Sequence, residues 1–381
     1  MIMRKLNSPL AFRHGIEIPN RVMMAPMTSK AASWEGYIVD EDLAFFGHRS
    51  KAASILVTGA TAVSKYGEKF PFQMSLYNDS FIPGMRQLAE RMKRHGNKAL
   101  VQIYHSGLRS VVSLEKHGRV FGPSNVKFGE ISYEITELTE DEVWDVVRMF
   151  GDATRRAYLA GFDGVEIHGA YSHLIQQFFS PYSNKRTDFF GGTLKKRMNF
   201  ALAIVDEVQK VARDCWGDNY IVGYRLTEEK RHANGDGYGI EETLQLIDAL
   251  AGKELDYIQA CDNSFNEAIY NTINGRTVFI TVPHTFSASD TQKELEHADM
   301  VSLARACLIE PEFADKINEG RESEIITAIT STAMAESLQW PHRMIEWLLD
   351  PNGSEEVPEG IEYFAPLLER VKFSHPQEIQ S

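Results

Sequence analysis

The sequence predicts an α/β protein built as a (β/α)8 TIM barrel with an N-terminal hairpin and a helical C-terminal extension. Three observations predict this class. Eight short apolar runs recur along the chain, helical patterns separate most of them, and the runs are almost continuously apolar, as strands buried on both faces of a parallel sheet are. A strand followed by a helix is the repeating unit of such a barrel, and 381 residues leave room for insertions.

The predicted elements follow one another in a regular order. Residues 10–12 and 16–18, with His14-Gly15 between them, predict a small hairpin that closes the bottom of the barrel. The eight predicted strands are 21–25, 55–58, 99–104, 164–167, 220–225, 256–260, 277–281 and 300–303.

Helix signals lie between these runs. Thr139 and Glu142 form a capping-box pattern, apolar residues then recur at helical spacing, and Gly161 follows as a stop. An apolar stripe predicts a second helix over 194–208, and a third helix begins near Ile240.

A doubly wound sheet is the structural alternative. It requires G-x-G-x-x-G directly after an early strand, whereas the glycine-rich stretch 234–239 has a different spacing and predicts a turn into the third helix. After about Glu319 the alternation of strands and helices ends. We therefore predict a barrel over residues 1–319 and a helical extension over 320–381 that packs on it, with a break at 350–360.

Composition and charge exclude several classes of protein. The hydrophobic fraction of 43% is that of a globular chain, and the net charge of −13 argues against nucleic acid as a partner. Cys215, Cys261 and Cys307 lie far apart, which argues against a structural zinc site, an iron–sulfur cluster or a disulfide framework. Without an apolar run typical of a signal peptide or a membrane span, the expectation is a cytoplasmic protein with no membrane partner.

Polar residues follow several predicted strands, at the end of a barrel where active sites lie. They include Thr28, Gln102, His168, Arg225 and Arg305. Each has a plain alternative, since a single arginine at a strand end is usually part of a surface ion pair. Their convergence indicates a ligand site but does not by itself name the ligand.

Three stretches of the sequence are specific enough to indicate a family. They are IPNRVMMAPMT at 18–28, VQIYHSG at 101–107 and GFDGVEIHGA at 161–170, the last continuing through LIQQF to SNKRTDFFGG at 183–192. In these stretches the chain resembles the Old Yellow Enzyme group of single-domain FMN-dependent NAD(P)H:flavin oxidoreductases and ene-reductases. The resemblance runs from about Leu10 to Phe313.

This resemblance implies a (β/α)8 barrel with FMN as cofactor and NADH or NADPH as reductant. It implies that Thr28 hydrogen-bonds the flavin carbonyl, Gln102 contacts the pyrimidine edge, Arg225 lies beside N1 and O2, and Arg305 binds the phosphate. A guanidinium beside N1 would stabilise the negative charge of reduced flavin. The positions that match FMN-binding positions are Pro26, Met27, Thr28, Ala60, Gln102, Arg225 and Arg305.

Two departures from the family concern the cofactor side. The glycine-rich turn after strand seven is replaced by Val282-Pro283-His284, and Ala304 stands before Arg305 where glycine is usual. A phosphate would then be held by different contacts, and His284 is a candidate for one of them. Leu108 also occupies a position that is often arginine, and Arg109 follows it.

A third departure concerns the substrate side. The usual pair His-x-x-His or His-x-x-Asn is His168-Gly169-Ala170-Tyr171 here, and His173 stands where a tyrosine proton donor is common. His168 and Tyr171 are therefore the candidate anchors, and His173 is the candidate proton donor because an imidazole titrates near neutral pH. The alternative is that Tyr171 and His173 only fill space.

The leading functional hypothesis is an enzyme that passes hydride from reduced FMN to a small electron-poor alkene, quinone or similar acceptor. A flavin-binding carrier or sensor without such turnover is the alternative. A metal-dependent hydrolase that uses His105, His168 and His173 is disfavoured, because these residues lack a metal-binding pattern. The sequence does not decide the physiological acceptor or the choice between NADH and NADPH. It also leaves the oligomeric state open, and a homo-oligomer is one of the options.

Overall fold

A computed structural model describes residues 4–129, 131–231, 236–261, 263–353 and 357–374. Eight parallel strands close into a ring in which each strand pairs with the next along the chain and the last pairs with the first. This closure confirms the barrel and excludes the doubly wound sheet. The strands are β1 (Val22–Met24), β2 (Ile55–Val57), β3 (Lys98–Tyr104), β4 (Gly164–Gly169), β5 (Ile221–Leu226), β6 (Tyr257–Ala260), β7 (Val278–Thr281) and β8 (Met300–Leu303).

All eight predicted strands are present, and none of their ends differs from the prediction by more than two residues. One main helix follows each strand, and three short helices at Val111–His117, Leu174–Phe179 and Arg305–Ile309 are added. The main helices are α1 (Asp40–His48), α2 (Ile82–Met92), α3 (Glu140–Leu159), α4 (Leu194–Trp216), α5 (Ile240–Ala251), α6 (Asn266–Ile273), α7 (Ala288–Lys293) and α8 (Phe313–Asn318).

The helix signals in the sequence have the expected structural roles. Thr139 Oγ1 accepts a hydrogen bond from the Glu142 N–H, while Glu142 Oε2 accepts one from the Thr139 N–H at 2.8 Å. This capping box begins α3, and Gly161 follows its end with a φ of +85°, which favours glycine. Of the glycine-rich stretch, Gly237–Tyr238 pairs with Lys230–Arg231 before α5, and residues 234 and 235 lie outside the described residues.

The hairpin closes the N-terminal end of the barrel, as predicted. Its strands, Leu10–Ala11 and Glu17–Ile18, pair antiparallel. Phe12, Ile16 and Ile18 are buried in one apolar cluster with side chains that point into the barrel from every strand except β4. An apolar cluster therefore closes the bottom of the barrel.

Helices at Thr332–Ser337, His342–Leu349 and Ala365–Ser374 follow the barrel. The fully buried Arg49, at the end of α1, donates from Nη2 to the carbonyl oxygens of Leu308 and Leu338 at 3.1 and 2.9 Å. Trp340 Nε1 donates to the same Leu308 oxygen at 3.1 Å. A domain boundary at residue 319 stays a prediction.

Among the described residues, no helix combines the length and the apolar character that crossing a bilayer requires.

We expect Arg49→Met to destabilise the protein, because the carbonyl oxygen of Leu338 loses the Arg49 donor and that of Leu308 keeps only Trp340. The expected loss in the free energy of unfolding is about 1–3 kcal/mol. Urea-induced unfolding followed by tryptophan fluorescence measures it, with the exposed Arg94→Met as the matched control, for which a change within about 0.5 kcal/mol is expected. Equal midpoints for the two variants would contradict the role of Arg49.

Candidate active site

A cavity of about 590 Å³ opens at the carboxyl ends of the barrel strands. Its volume lies within the range of about 300–1,000 Å³ that cofactor and small-molecule sites have. All ten residues selected from the sequence line it, and they lie in or just after six different strands. These residues are Pro26, Met27, Thr28, Ala60, Gln102, His168, Tyr171, His173, Arg225 and Arg305.

One wall of the cavity is formed by the segments after β1 and β2. Pro26, Met27 and Ala60 give this wall an apolar surface, and Thr28 contributes a hydroxyl. Gly59 permits the two segments to approach, because a Cβ there would lie 2.7 Å from the Met27 carbonyl oxygen. The arrangement offers an apolar face with one hydroxyl at its edge, which suits one side of a flavin ring.

A buried hydrogen-bond network lies under the cavity. Gln102 Nε2 donates to Glu166 Oε1 at 2.7 Å, and the Tyr257 hydroxyl donates to Glu166 Oε2 at 2.8 Å. Burial raises the pKa of the Glu166 carboxyl, and the nearby charge of Arg225 opposes part of that shift. The Gln102 amide is thereby fixed in orientation at the cavity surface.

Arg225, in β5, is also held at the cavity surface by buried contacts. Its side chain is buried, Nη2 donates to the Tyr171 hydroxyl at 3.0 Å, and Nε contacts Cys261 Sγ at 3.4 Å. Because Glu166 lies nearby but is hydrogen-bonded by other groups, the guanidinium faces the cavity as a fixed positive charge. A group that becomes negatively charged on reduction fits this position.

The opposite end of the cavity carries Arg305, His284 and Phe286. Arg305 Nη2 lies 2.7 Å from His284 Nδ1, and the guanidinium lies over the Phe286 ring. His284 therefore orients Arg305, in place of the glycine-rich turn that Val282-Pro283 cannot provide. This end suits a phosphate through side chains more than through backbone N–H groups.

His168 and His173 form a buried pair on the acceptor side. Their rings are 4.8 Å apart and nearly perpendicular, and His173 also packs edge-on against Tyr104. Burial lowers the pKa of both imidazoles well below the usual value; further contributions come from Arg225 and Lys69 at His168, and from His168, Lys69, Arg109 and His105 at His173. The expectation that His173 titrates near neutral pH is therefore wrong, since both rings are neutral there.

The turn that carries Tyr171 is conformationally unusual. Tyr171 and Ser172 have φ values of +53° and +58°, a region that side chains other than glycine rarely adopt. Side chains hold it in place: the Tyr171 N–H donates to Thr227 Oγ1 at 3.1 Å, Arg109 Nη1 donates to the Tyr171 carbonyl at 3.0 Å, and Gln177 Nε2 donates to that of Ser172 at 2.7 Å. The turn directs the Tyr171 ring over Arg225.

Several further residues of the wall were not selected from the sequence, and four of them bear on the charge and shape of the cavity. Lys69 lies in the loop after β2, and Arg109 projects into the cavity while Leu108 is buried beside Gly122. Burial, together with the charges of Arg109 and Lys30, lowers the pKa of Lys69 to about 7. Met344 and Trp347 reach the cavity from the C-terminal extension. Of these four residues, only Arg109 was indicated by the sequence, because it is next to a position that is often arginine in the family.

The three histidines of the hydrolase hypothesis do not form a metal site. His105 Nδ1 accepts from the Gly107 N–H and His168 Nδ1 accepts from the Ala170 N–H. In the part of the chain that the structure describes, no group of three or more His, Cys, Asp or Glu side chains is arranged to hold a metal ion.

Comparison with known proteins agrees with this geometry. One relative is the probable NADH-dependent flavin oxidoreductase YqiG of Bacillus subtilis, 39% identical over 86% of this chain and 92% of its own length. The NADH:acrylate oxidoreductase of Vibrio harveyi is 33% identical over 89% of this chain, which spans 35% of that longer protein. Morphinone reductase in complex with tetrahydroNAD has a TM-score of 0.72 and 25% identity, over 84% of this chain and 91% of its own.

A family comparison gives the assignment. The NADH:flavin oxidoreductase / NADH oxidase family matches residues 5–324, which is most of the chain. The match and the shared fold confirm the resemblance to the Old Yellow Enzyme group and FMN as the cofactor. The chain belongs to the NADH:flavin oxidoreductase / NADH oxidase family.

Proposed function

We propose that this oxidoreductase passes hydride from NADH or NADPH, by way of FMN, to a small electron-poor acceptor such as an alkene or a quinone. The observation that carries the proposal is the convergence of a buried guanidinium, an apolar wall and a neutral histidine pair on one cavity. FMN supplies the two-electron chemistry, since it accepts a hydride from the nicotinamide and donates one to the acceptor. The cytoplasm, where NADH is available, is the expected location.

Different residues of the cavity would contact different parts of the bound FMN. Arg225 would hold negative charge at one end of the flavin ring, Gln102 would hydrogen-bond the pyrimidine edge, and Thr28 would donate to the ring carbonyl. Arg305 would bind the phosphate at the other end, in the orientation that His284 fixes.

On the acceptor side, His168 and His173 would act as neutral hydrogen-bond donors. Tyr171 can donate through its hydroxyl, but a phenol reaches farther than an amide and narrows the space above the ring. We therefore expect slow turnover of ordinary cyclic enones and faster turnover of quinones or small flat acceptors.

One experiment separates the enzyme from a flavin carrier or sensor. The purified protein is expected to be yellow and to release FMN on denaturation, and anaerobic addition of NADH or NADPH is expected to bleach it. Bound FMN that neither nucleotide bleaches would favour the carrier or sensor.

We expect Arg225→Ala to lower the flavin reduction potential and to slow reduction by NADH by about 100-fold, because the negative charge of the reduced ring loses its partner. Stopped-flow absorbance and a redox titration measure both effects. Arg225→Lys, which keeps a cation, is the control and should retain more of the rate. A loss of thermal stability with normal potential and rate would instead indicate an ordinary ion-pair role.

Thr28→Val should leave the fold and the FMN content nearly unchanged while slowing flavin reduction about 2–10-fold, the effect of one lost hydrogen bond of about 0.5–1.5 kcal/mol. The step that reoxidises the flavin should change less or in the opposite sense. Thr28→Ser keeps the hydroxyl and should behave like the unmodified protein. An unchanged potential in Thr28→Val would disprove the contact.

We expect His168→Ala and His173→Phe to slow flavin reoxidation by the acceptor, by about 100-fold where the hydrogen bond to the acceptor is lost. Because the pKa of each imidazole is lowered, each ring gains its charge only in acid well below neutral pH, so neither should produce an acid limb near pH 6–7. Rates with a quinone and an enone across pH test this. Unchanged rates in both variants would remove the pair from the acceptor step.

A further inference from the structure

The helix His342–Leu349 belongs to the C-terminal extension and lies beyond the family match, which ends at residue 324. It nevertheless reaches the cavity, because Met344, Trp347 and Leu348 line it. Met344 and Leu348 are also buried in the large apolar cluster that the barrel helices share. A segment outside the family match therefore forms part of the wall of the cavity.

Two cation–π contacts hold this helix against loops of the barrel. Arg343 Cζ lies 3.7 Å from the centre of the Phe72 ring, in the loop after β2. Lys30 Nζ, in the segment after β1, lies 4.7 Å from the centre of the Trp347 ring. Positions 343 and 347 are four residues apart, so both contacts form on the same side of the helix. The helix is therefore held at two points, one turn apart, by two different loops.

Both barrel residues in these contacts have an unusual backbone conformation. Lys30 and Phe72 have φ values of +54° and +58°, a region that residues other than glycine rarely adopt. Trp34 packs edge-on against the Phe72 ring, with the ring centres 5.6 Å apart. A strained backbone persists only where its surroundings hold it, and such residues are common at ligand sites. The strain is thus an observation, independent of the cavity, that assigns a functional role to the two contacts.

Trp347 lies on the acceptor side of the cavity. Its ring contacts Lys30, and burial together with nearby cations that include Lys30 lowers the pKa of Lys69 to about 7. Burial and several charges, that of Lys69 among them, lower the pKa of His168 and of His173. Because the interaction between charges weakens with distance, these contributions place the two lysines and the histidine pair close together. The indole therefore borders the space assigned to the acceptor.

We propose that the Trp347 ring limits the size of the acceptor and so determines which acceptors the enzyme reduces. This inference rests on the proposed function, because it concerns the acceptor space of the same cavity. Moving the indole aside would break its contact with Lys30 and disturb the packing of the helix in the core, so a bulky substituent that overlaps the ring is excluded. Arg343 does not line the cavity and is a positioning residue that holds the helix in place.

The primary test compares 1,4-benzoquinone with 2-tert-butyl-1,4-benzoquinone, which share a reactive ring and differ in bulk. We expect Trp347→Ala to raise kcat/KM for the tert-butyl compound, relative to the parent compound, by at least about 10-fold. Trp347→Leu should act in the same direction and replaces the alanine variant if that variant does not fold. Trp347→Phe keeps most of the ring and should change the ratio less than about threefold. Glu346→Gln, on the exposed side of the same helix, is the matched control and should leave the ratio unchanged.

Arg343→Met tests whether the contact with Phe72 positions the ring. It removes one of the two contacts and keeps the indole, so the ratio of kcat/KM values should rise in the same direction, by about 2–5-fold. Added to Trp347→Ala it should have no further effect on the ratio, because the ring that it positions is gone. An unchanged ratio in Arg343→Met, or a further rise in the double variant, would overturn the positioning role.

Isothermal titration of the oxidised, FMN-loaded enzyme with phenol and with 2-tert-butylphenol measures the same size limit without turnover. We expect Trp347→Ala to strengthen binding of the tert-butyl compound, relative to phenol, by about 10-fold. Equal changes for the two members of either pair, the quinones or the phenols, would overturn the proposal. Failure of NADH and NADPH to bleach the flavin would instead remove the proposed function, and the titration with phenols would still decide whether Trp347 limits the size of the ligand.

Discussion

A carboxylate sealed inside a barrel must be compensated by its neighbours, because water cannot reach it. Glu166 is in this position, and Gln102, Tyr257 and Arg225 provide two hydrogen bonds and the opposite charge. Tyr257 can lie across the interior only because Gly223 has no Cβ to collide with its ring. The same contacts hold the Gln102 amide and the Arg225 guanidinium still at the cavity surface. Two of the positions proposed to contact the flavin, Gln102 and Arg225, are thus fixed by the interactions that compensate one buried carboxyl group.

The fold and most of the cavity wall could be predicted because each depends on a local pattern. A strand buried on both faces must be almost continuously apolar, which is why all eight runs were recognisable. Polar residues in the last part of such runs or just after them meet at one end of a parallel barrel, which places Thr28, Gln102 and Arg225 together. Their family motifs then gave each a role, and these roles remain predictions.

The rest depends on contacts that are distant in sequence. The pKa of Lys69 is set by burial and by Arg109 and Lys30, none of which a local pattern connects. Trp347 reaches the cavity from the C-terminal extension, whose helices are not part of the repeating strand–helix pattern of the barrel. The expectation for His173 failed for the same reason: a reference pKa holds in water, whereas this ring lies 3% exposed among cations.

The left-handed turn at Tyr171 and Ser172 has a consequence for which residues position the Tyr171 ring. Hydrogen bonds from or to Thr227, Arg109 and Gln177 hold this backbone in a conformation that is rarely populated, so each of the three contributes to keeping it there. Thr227 and Gln177 do not line the cavity, yet they determine where the Tyr171 ring lies. If Tyr171 contacts the acceptor as proposed, Thr227 and Gln177 would therefore influence acceptor preference without touching the acceptor themselves.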